Sequence, residues 1–524
     1  MEYIYPVESC LQKVKDNQNS EIQDYFAGST VFVTGATGFL GRLLVEKLLR
    51  SCRDLKRVYI LVRQKKDKTP EERFKEYFDN VIYDPIKREY PKALEKVFIL
   101  SGDCALPDLG LNEKDKETFL SEVDCIFHAA ATVRFDEKIR IAAYINVRAT
   151  RDLIKLAKQV KHLKSFVHVS TAYSFCTQPK IDEKFYDSAL NGEQLLTLVE
   201  IFDEDKLEEM TPLIIGKWPN TYVFTKSIAE NVVGNEAADL PLAIVRPSIV
   251  VATANEPIPG WIDNFYGATG VIAGAGLGII RTLHCKPNNL ADLVPADYVI
   301  NAFIAAAWEV SRHNNSRVNE IITGSEKEDK RNNESDIPIY NYVCSPQKPF
   351  TWRECMDTGF KYGNAVTSVL QVWHHCLLLN PNRYVHLFFH YLLHVLPAYI
   401  VDFFAMCVGK QPQLVKGYAK IAKFVDVIAF FSTKQWLFIN QNTQELWNSL
   451  SSQDKKLFNF DMGSFCWDAY FSTYISGIRV YVVKDPMETV PQGLVKAFRL
   501  KLAHYILVTV LLLGFFKFLL YFLF

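Results

Sequence analysis

Short apolar runs, each followed by a stretch in which apolar positions recur every three or four residues, fill the first half of the chain. Val31, Phe32 and Val33 precede the helix-like run Arg42-Leu-Leu-Val-Glu-Lys-Leu-Leu49, and the same alternation continues through "VYILVR", "KVFILSGDC", "VDCIFHAAATVRF" and "SFVHVSTAY". Strands alternating with helices predict an α/β, Rossmann-type doubly wound parallel sheet. At the other end, "AHYILVTVLLLGFFKFLLYFLF", residues 503–524, is almost wholly apolar. At about 1.5 Å per helical residue it can cross a hydrocarbon layer of ~30 Å. It reads as a transmembrane anchor, with Lys496, Arg499 and Lys501 on the side that favours the cytosolic face. The alternative is a helix lying along the membrane or packed on the body of the protein.

The chain has 524 residues, 49% of them hydrophobic, and so holds more than one domain. Lysine plus arginine equal aspartate plus glutamate at 59 each, which leaves no global field to attract nucleic acid. Eleven cysteines lie singly between Cys10 and Cys466 without a C-x-x-C pair. Neither a disulfide framework nor a zinc site is suggested, and a reducing compartment fits. The N-terminal "MEYIYPVESC" lacks the basic and apolar regions of a signal peptide.

The segment "TGATGFLG" supplies the first candidate chemistry. Gly35, Gly38 and Gly41 fall between a strand and a helix, with Thr37, Phe39 and Leu40 among them. Glycines there let the backbone approach a pyrophosphate, while the helix N-terminus offers N–H donors. A glycine turn with only a structural role is the competing reading. The second strand ends in Arg63, where an NAD site often carries an acidic residue for the ribose 2′-hydroxyl. A guanidinium suits a 2′-phosphate, so the expected cofactor is NADPH. Lys65 and Lys66 follow and read equally as a solvated loop. The third strand ends near Asp103, another expected cofactor contact, and the fourth runs into Ala129, Ala130 and Ala131, small enough for a flat ring or a backbone to approach.

Catalytic candidates come next. The strand "SFVHVSTAY" ends at Ser170 and Thr171, where ligands bind in open parallel sheets. In "NTYVFTKSIAENVV", Tyr222 and Lys226 lie four apart on one helical face. An ammonium beside the phenol is expected to lower its pKa from about 10, making Tyr222 a proton donor.

These motifs together resemble the extended short-chain dehydrogenase/reductase superfamily and, within it, the alcohol-forming fatty acyl-CoA reductases. "TGATGFLG", "VYILVR", "HAAATVRFDE", "FVHVSTAY", "PNTYVFTKSIAE", "LAIVRPSIV" and "EPIPGWIDN" occur in that order, and "IPIYNYVCS", "FTWRE", "HVLPAYIVD" and the segment after Phe424 are similar to that family's C-terminal region. The resemblance implies reduction of long-chain fatty acyl-CoA to fatty alcohol through an aldehyde, with two NADPH and release of CoA. It implies Tyr222 as general acid, Lys226 as the residue holding the nicotinamide ribose, and Ser170 or Thr171 as the active hydroxyl, with register leaning to Thr171. Three other functions stay open: a reductase that stops at the aldehyde, a membrane-anchored dehydrogenase of sterols or sugar nucleotides, and a non-catalytic acyl-CoA or NADPH-binding membrane protein.

The expected organisation is a reductase domain over 1–351, a helical domain over 352–480, a basic neck over 481–502 and the anchor over 503–524. The polar stretch "GSEKEDKRNNESD" at 324–336 is read as a loop. The catalytic part is expected to face the cytosol from the endoplasmic reticulum or peroxisome membrane, with the bilayer and a long-chain acyl-CoA as partners. His386, His390 and His394 repeat at helical spacing, with His374 and His375 before them. A metal site is the lesser reading, because further ligands at matching spacing are not evident. A membrane-interfacial or substrate-covering element is preferred, kinked or ended by Pro397.

Overall fold

The computed structural model describes residues 19–65, 67–188, 190–323 and 337–523. Cys10, the N-terminal stretch, Lys66 and the loop at 324–336 lie outside the described residues.

Seven strands form a parallel sheet: β1 (Thr30–Thr34), β2 (Arg57–Val62), β3 (Val97–Ser101), β4 (Cys125–His128), β5 (Ser165–Val169), β6 (Leu242–Pro247) and β7 (Ile339–Tyr342). Their spatial order is β3-β2-β1-β4-β5-β6-β7, with Val31 opposite Val58 on one side and Cys125 on the other. The strands read as continuous apolar runs because both faces are covered. Helices α1 (Phe39–Ser51), α2 (Ala149–Ala157), α3 (Thr221–Glu236) and α4 (Ala296–Thr323) provide the cover. Phe32, Ile126, Phe166 and Ile244 pack with Leu153, Phe224 and Ile228 of α2 and α3 in one core cluster. Helix α4 packs on α1 and on β5 and β6. The sheet is therefore doubly wound, as its sequence pattern predicts.

Domain organisation departs from a cut at residue 351. One compact unit comprises Met1–Ile258, Asp292–Lys348 and Trp436–Phe465, and the other Pro259–Ala291, Pro349–Gln435 and Cys466–Phe524. Hydrogen bonding explains why residues 436–465 return to the sheet unit. Trp436 Nε1 donates to the Cys176 carbonyl at 3.0 Å, and Leu437–Phe438 pairs in parallel with Lys180–Ile181. The Glu183 carboxylate then accepts from the backbone N–H groups of Asn341, Asn442 and Thr443. These links join residues far apart in sequence, which no local pattern announces.

The second unit is mainly helical, with Gly267–Gly276, Trp352–Gly363 and Trp467–Gly477 at its centre. Phe350 stacks on Trp467 with ring centroids 4.6 Å apart. Thr351 and Glu354 form a reciprocal cap that starts the helix Trp352–Gly363. The basic neck is not a separate linker: a continuous helix, Val490–Leu523, carries Lys496, Arg499 and Lys501 into the apolar tail. Two segments, Arg383–Cys407 and Met487–Tyr521, are long and apolar enough to cross a membrane. Pro397 does not end the first of them. A π-helical turn at Tyr391–Val395 precedes Leu396–Cys407, so the ring occupies a place where the regular hydrogen-bond ladder is already shifted.

One buried ion pair braces the sheet unit. The Arg246 and Glu230 side chains are both 0% exposed, with Nη2 to Oε2 at 2.6 Å. Arg246 also donates to the carbonyls of Asp182 and Lys184, while Glu230 accepts from the hydroxyls of Ser170 and Ser174. Arg246→Met leaves a buried carboxylate without its cation and is expected to destabilise this unit by about 3–5 kcal/mol. Chemical denaturation reads the loss, and the double variant with Glu230→Met should recover most of it; a strictly additive second loss would show that the pair does not act as a unit.

Candidate active site

Strand β1 ends at Thr34, and the chain turns through Gly35 at φ 72°. A Cβ on Gly35 would sit 2.7–2.8 Å from the backbone of Ala129 and Ala130, so the loops after β1 and β4 meet backbone to backbone. A Cβ on Gly41 would overlap the Gly35 carbonyl, which holds α1 tight beneath the turn. Gly38 is the N-cap of α1 and contributes no side-chain hydrogen bond to it, leaving the first-turn N–H groups for an anion. Thr37 lies in the turn, and Phe39 and Leu40 open the helix. Strand order reverses between β1 and β4, and the crevice beyond the carboxyl ends at such a point is where open α/β sheets bind ligands.

Three guanidiniums gather at the rim of this crevice. Arg63 follows β2 and pairs with Asp103 at 3.5 Å. Arg73, on the short helix Pro70–Lys75, donates to the Arg63 carbonyl at 2.5 Å and to the Thr37 hydroxyl at 3.4 Å. Burial, followed by the charges of Arg63 and Arg42, pulls the Arg73 pKa down. Nε of Arg42 is buried with no hydrogen-bond partner among the described residues. Clustered, incompletely paired cations beside a glycine turn fit a phosphorylated cofactor. Arg42 and Arg73 escape a motif-based reading: the first passes as an ordinary helix residue, and the second depends on the Thr69–Glu72 capping box that folds a helix after the basic loop. Lys65 is exposed and joins Lys68 through the backbone.

Deeper in, α3 presents Tyr222 in its first turn and Lys226 one turn later. Asn220 caps the helix by accepting from the Val223 N–H at 3.0 Å. Lys226 is buried and its Nζ donates to the carbonyl of Val169, the last residue of β5, at 2.6 Å. Burial lowers the Lys226 pKa to about 8. Tyr222 differs from expectation, since its pKa is pushed up to about 12 by burial, with only a hydrogen bond to Thr171 opposing. Lys226 is not among the groups acting on the phenol, and its Nζ is directed at the Val169 carbonyl. The phenol thus stays protonated near neutrality. The paired hydroxyls also separate: Ser170 donates to Glu230, whereas Thr171 reaches Tyr222 and contacts the Pro247 carbonyl at 3.4 Å.

Two buried features escaped sequence reasoning. Asn146, in a π-helical turn, accepts from the Thr132 N–H at 3.0 Å and donates to Thr225 at 2.9 Å, tying the small-residue loop to α3. His128 bridges Thr34 of β1 and Thr150 of α2, and burial lowers its pKa to about 3, so it is a neutral link between sheet and helix.

The histidine ladder belongs to the second unit. His394 Nε2 accepts from the Arg281 N–H at 2.9 Å, His390 and His394 meet through their Nδ1 atoms at 3.1 Å, and His386 bonds Thr282 at 3.1 Å. These contacts fasten the helix to a short strand, while Tyr384, Phe388, Tyr391, Leu396 and Tyr399 of the same segment are exposed.

Comparison with known proteins matches this architecture. Family models described as "Male sterility protein" match residues 33–303 and 393–485. The "Fatty acyl-CoA reductase wat" of Drosophila melanogaster is 39% identical over 94% of this chain and 92% of its own length. "Fatty acyl-CoA reductase 1" of Homo sapiens is 39% identical over 90% of this chain and 88% of its own. Among solved structures, the terminal R domain of the myxalamid PKS-NRPS pathway shares the fold, with TM-score 0.53 and 20% identity over 88% of this chain and 93% of that one. The reductase domain of a nonribosomal peptide synthetase from Mycobacterium tuberculosis does so too, with TM-score 0.53 and 18% identity over 89% and 97%. With a glycine turn at the switch point of a parallel sheet, a tyrosine and a buried lysine one turn apart on α3, and relatives aligned over nearly its whole length, this chain belongs to the fatty acyl-CoA reductase family of oxidoreductases.

Proposed function

We propose that this chain reduces long-chain fatty acyl-CoA to the fatty alcohol, using two NADPH per acyl group and releasing CoA. The observation that carries the reading is the approach of the Tyr222 phenol to Thr171 beyond the carboxyl end of β5, one helical turn before Lys226, whose Nζ donates to the Val169 carbonyl. NADPH supplies a hydride in each of two rounds. The hydroxyls of Tyr222 and Thr171 are preorganised donors for the substrate carbonyl oxygen as charge develops on it, a type of contact that contributes a few kcal/mol to the rate. In the first round the thioester loses CoA as thiol and leaves an aldehyde. In the second, Tyr222 gives its phenolic proton to the alkoxide oxygen as general acid. Overall, two hydrides and two protons enter, and one thiol and one primary alcohol leave. Lys226 uses one of its three N–H donors on Val169, leaving the others for the ribose hydroxyls and for returning a proton to the tyrosinate.

Thr171 takes the role of active hydroxyl in this reading because Ser170 is engaged with Glu230. The arginine rim favours NADPH over NADH, with Arg63 and Arg73 on the 2′-phosphate. The tail helix anchors the protein in the endoplasmic reticulum or peroxisome membrane with the sheet unit in the cytosol, its basic flank setting the orientation.

The deciding measurement follows NADPH loss, thiol release and lipid product together in purified full-length protein across a panel of acyl-CoA lengths. Two NADPH per thiol with alcohol as product supports the four-electron reaction; one per thiol with accumulating aldehyde replaces it with a two-electron one. Tyr222→Phe should lower kcat by 10²–10⁴-fold, and Thr171→Ala by about 10²–10³-fold. Ser170→Ala should chiefly reduce stability, and a larger kcat loss there than in Thr171→Ala would reverse the assignment. Removing one charge-assisted phosphate contact with Arg73→Ala should erode the NADPH-over-NADH preference in kcat/KM by about tenfold or more, while an unchanged ratio would take Arg73 out of cofactor recognition.

A further inference from the structure

The helix Arg383–Cys407 of the second unit is divided between two faces. His386, His394, Ala398 and Asp402 are buried, and with the half-buried His390 they repeat every fourth residue along it. A four-residue row drifts around a helix of about 3.6 residues per turn, and the wider π-helical turn at Tyr391–Val395 turns it back, so the row keeps to one side. That side is fastened to the unit: His386 bonds Thr282, and His394 accepts from the Arg281 N–H. Asp402 accepts from the N–H groups of Gln413, Leu414 and Val415, which starts the return helix Leu414–Thr433. Away from the row, Phe388, Tyr391, Tyr399, Phe403, Phe404 and Met406 are each more than half exposed. A contiguous apolar face of this kind marks an interaction surface.

Charge and position identify the partner as lipid. Residues 383–434 carry six cations, Arg383, Lys410, Lys416, Lys420, Lys423 and Lys434, against two carboxylates, Asp402 and Asp426, in a chain whose charges balance overall. Asp402 is occupied by the backbone N–H groups of the turn. Lys416, Lys420 and Lys423 are exposed at one-turn spacing on the return helix. Ammonium groups in a row beside exposed aromatics match the phosphates and the acyl boundary of an anionic bilayer. The hairpin is also joined to the tail. Arg281, which holds His394, donates through Nη1 to the Leu393 carbonyl at 2.6 Å, and its guanidinium lies 6.0 Å from the Trp373 ring. Trp373 Nε1 in turn donates to His504 at 3.2 Å. At His504 the basic flank of the Val490–Leu523 helix gives way to its apolar run. This relay holds the exposed face beside the start of that run.

We propose that the hairpin Arg383–Thr433 is a second membrane attachment, lying along an anionic phospholipid bilayer with its aromatic face among the upper acyl chains and Lys416, Lys420 and Lys423 at the phosphates. The attachment rests on the tail anchor proposed above and on no step of the reaction. Although Arg383–Cys407 is long enough to span, crossing would carry Arg281 and the strand Thr282–His284, both bonded along it, into hydrocarbon, where a charge and unpaired backbone groups are costly. Lying in the plane of the surface leaves them in the aqueous layer. The second unit is thereby held to the bilayer at two places, which limits its swing about the tail.

The test is photolabelling of the full chain in vesicles of phosphatidylcholine and phosphatidylserine by two diazirine-bearing phosphatidylcholines, one reactive near the glycerol and one at the chain end, with labelled peptides mapped by mass spectrometry. The shallow probe is expected to label 384–408 as well as 506–521, and the deep probe 506–521 alone. Deep label centred on 391–400 would make the segment a span and overturn the proposal. Phe388→Asp combined with Phe404→Asp should remove the shallow label from 384–408 and leave 506–521 labelled. Omitting phosphatidylserine should lower the label in 384–408 by about fivefold, the factor that one lysine contributes at an anionic surface, without changing that in the tail. Equal label in both lipids overturns the role given to the lysines. Label confined to 506–521 with either probe overturns the attachment and keeps the anchor, and a dimeric mass in detergent would then assign the face to a second copy. Label in 384–408 without any in 506–521 removes the tail anchor and keeps the hairpin.

Discussion

The Arg246–Glu230 pair sits where β5, β6 and α3 meet, and the reactive end of the sheet is organised around it. Two opposite charges out of water persist only when every remaining donor and acceptor is occupied. That requirement recruits the Ser170 and Ser174 hydroxyls and the Asp182 and Lys184 carbonyls, and so fixes the chain that leaves β5. Thr171 is placed opposite Tyr222 as a consequence, because its neighbour's side chain is committed to the carboxylate. A structural ion pair thereby sorts two adjacent hydroxyls into a brace and a candidate reactant.

Electrostatics divide the crevice into two zones. At the rim, burial and then the charges of Arg63 and Arg42 depress the Arg73 pKa, with Asp103 opposing them. In the interior, burial dominates: it holds Tyr222 and His128 neutral and weakens the charge on Lys226. The first zone has the charge to suit an anionic ligand, whereas the second keeps its titratable groups protonated or neutral by desolvation.

Much of this was legible in the chain. The strands from β1 to β5 are short apolar runs, and the glycines, the β5 hydroxyls and the four-residue spacing of Tyr222 and Lys226 are local patterns that need no tertiary knowledge. What escaped is non-local. The expected fall in the Tyr222 pKa assumed that spacing along a helix sets the lysine's target, but Nζ turns to Val169 in another element. Arg73 reaches Thr37 across 36 residues, and Asn146 spans 79 to Thr225. A single cut at 351 failed for the same reason: the chain does change units at Lys348–Pro349, but Trp436, Leu437 and Asn442 return to residues 176–183 through contacts in which at least one partner is a backbone group.

That interleaving bears on how the molecule is made. The sheet unit draws its third segment from Trp436–Phe465, after the chain has passed through most of the second unit. A ribosome must therefore release well over four hundred residues before the Glu183 carboxylate meets Asn442 and Thr443 and the sheet unit is complete. Until then, the Cys176 carbonyl, the Lys180–Ile181 edge and the apolar surface that Trp436 covers are open to chaperones or to wrong partners. The apolar tail emerges only after this closure becomes possible, so the order of synthesis lets the sheet unit finish folding before the long apolar helix Val490–Leu523 is exposed.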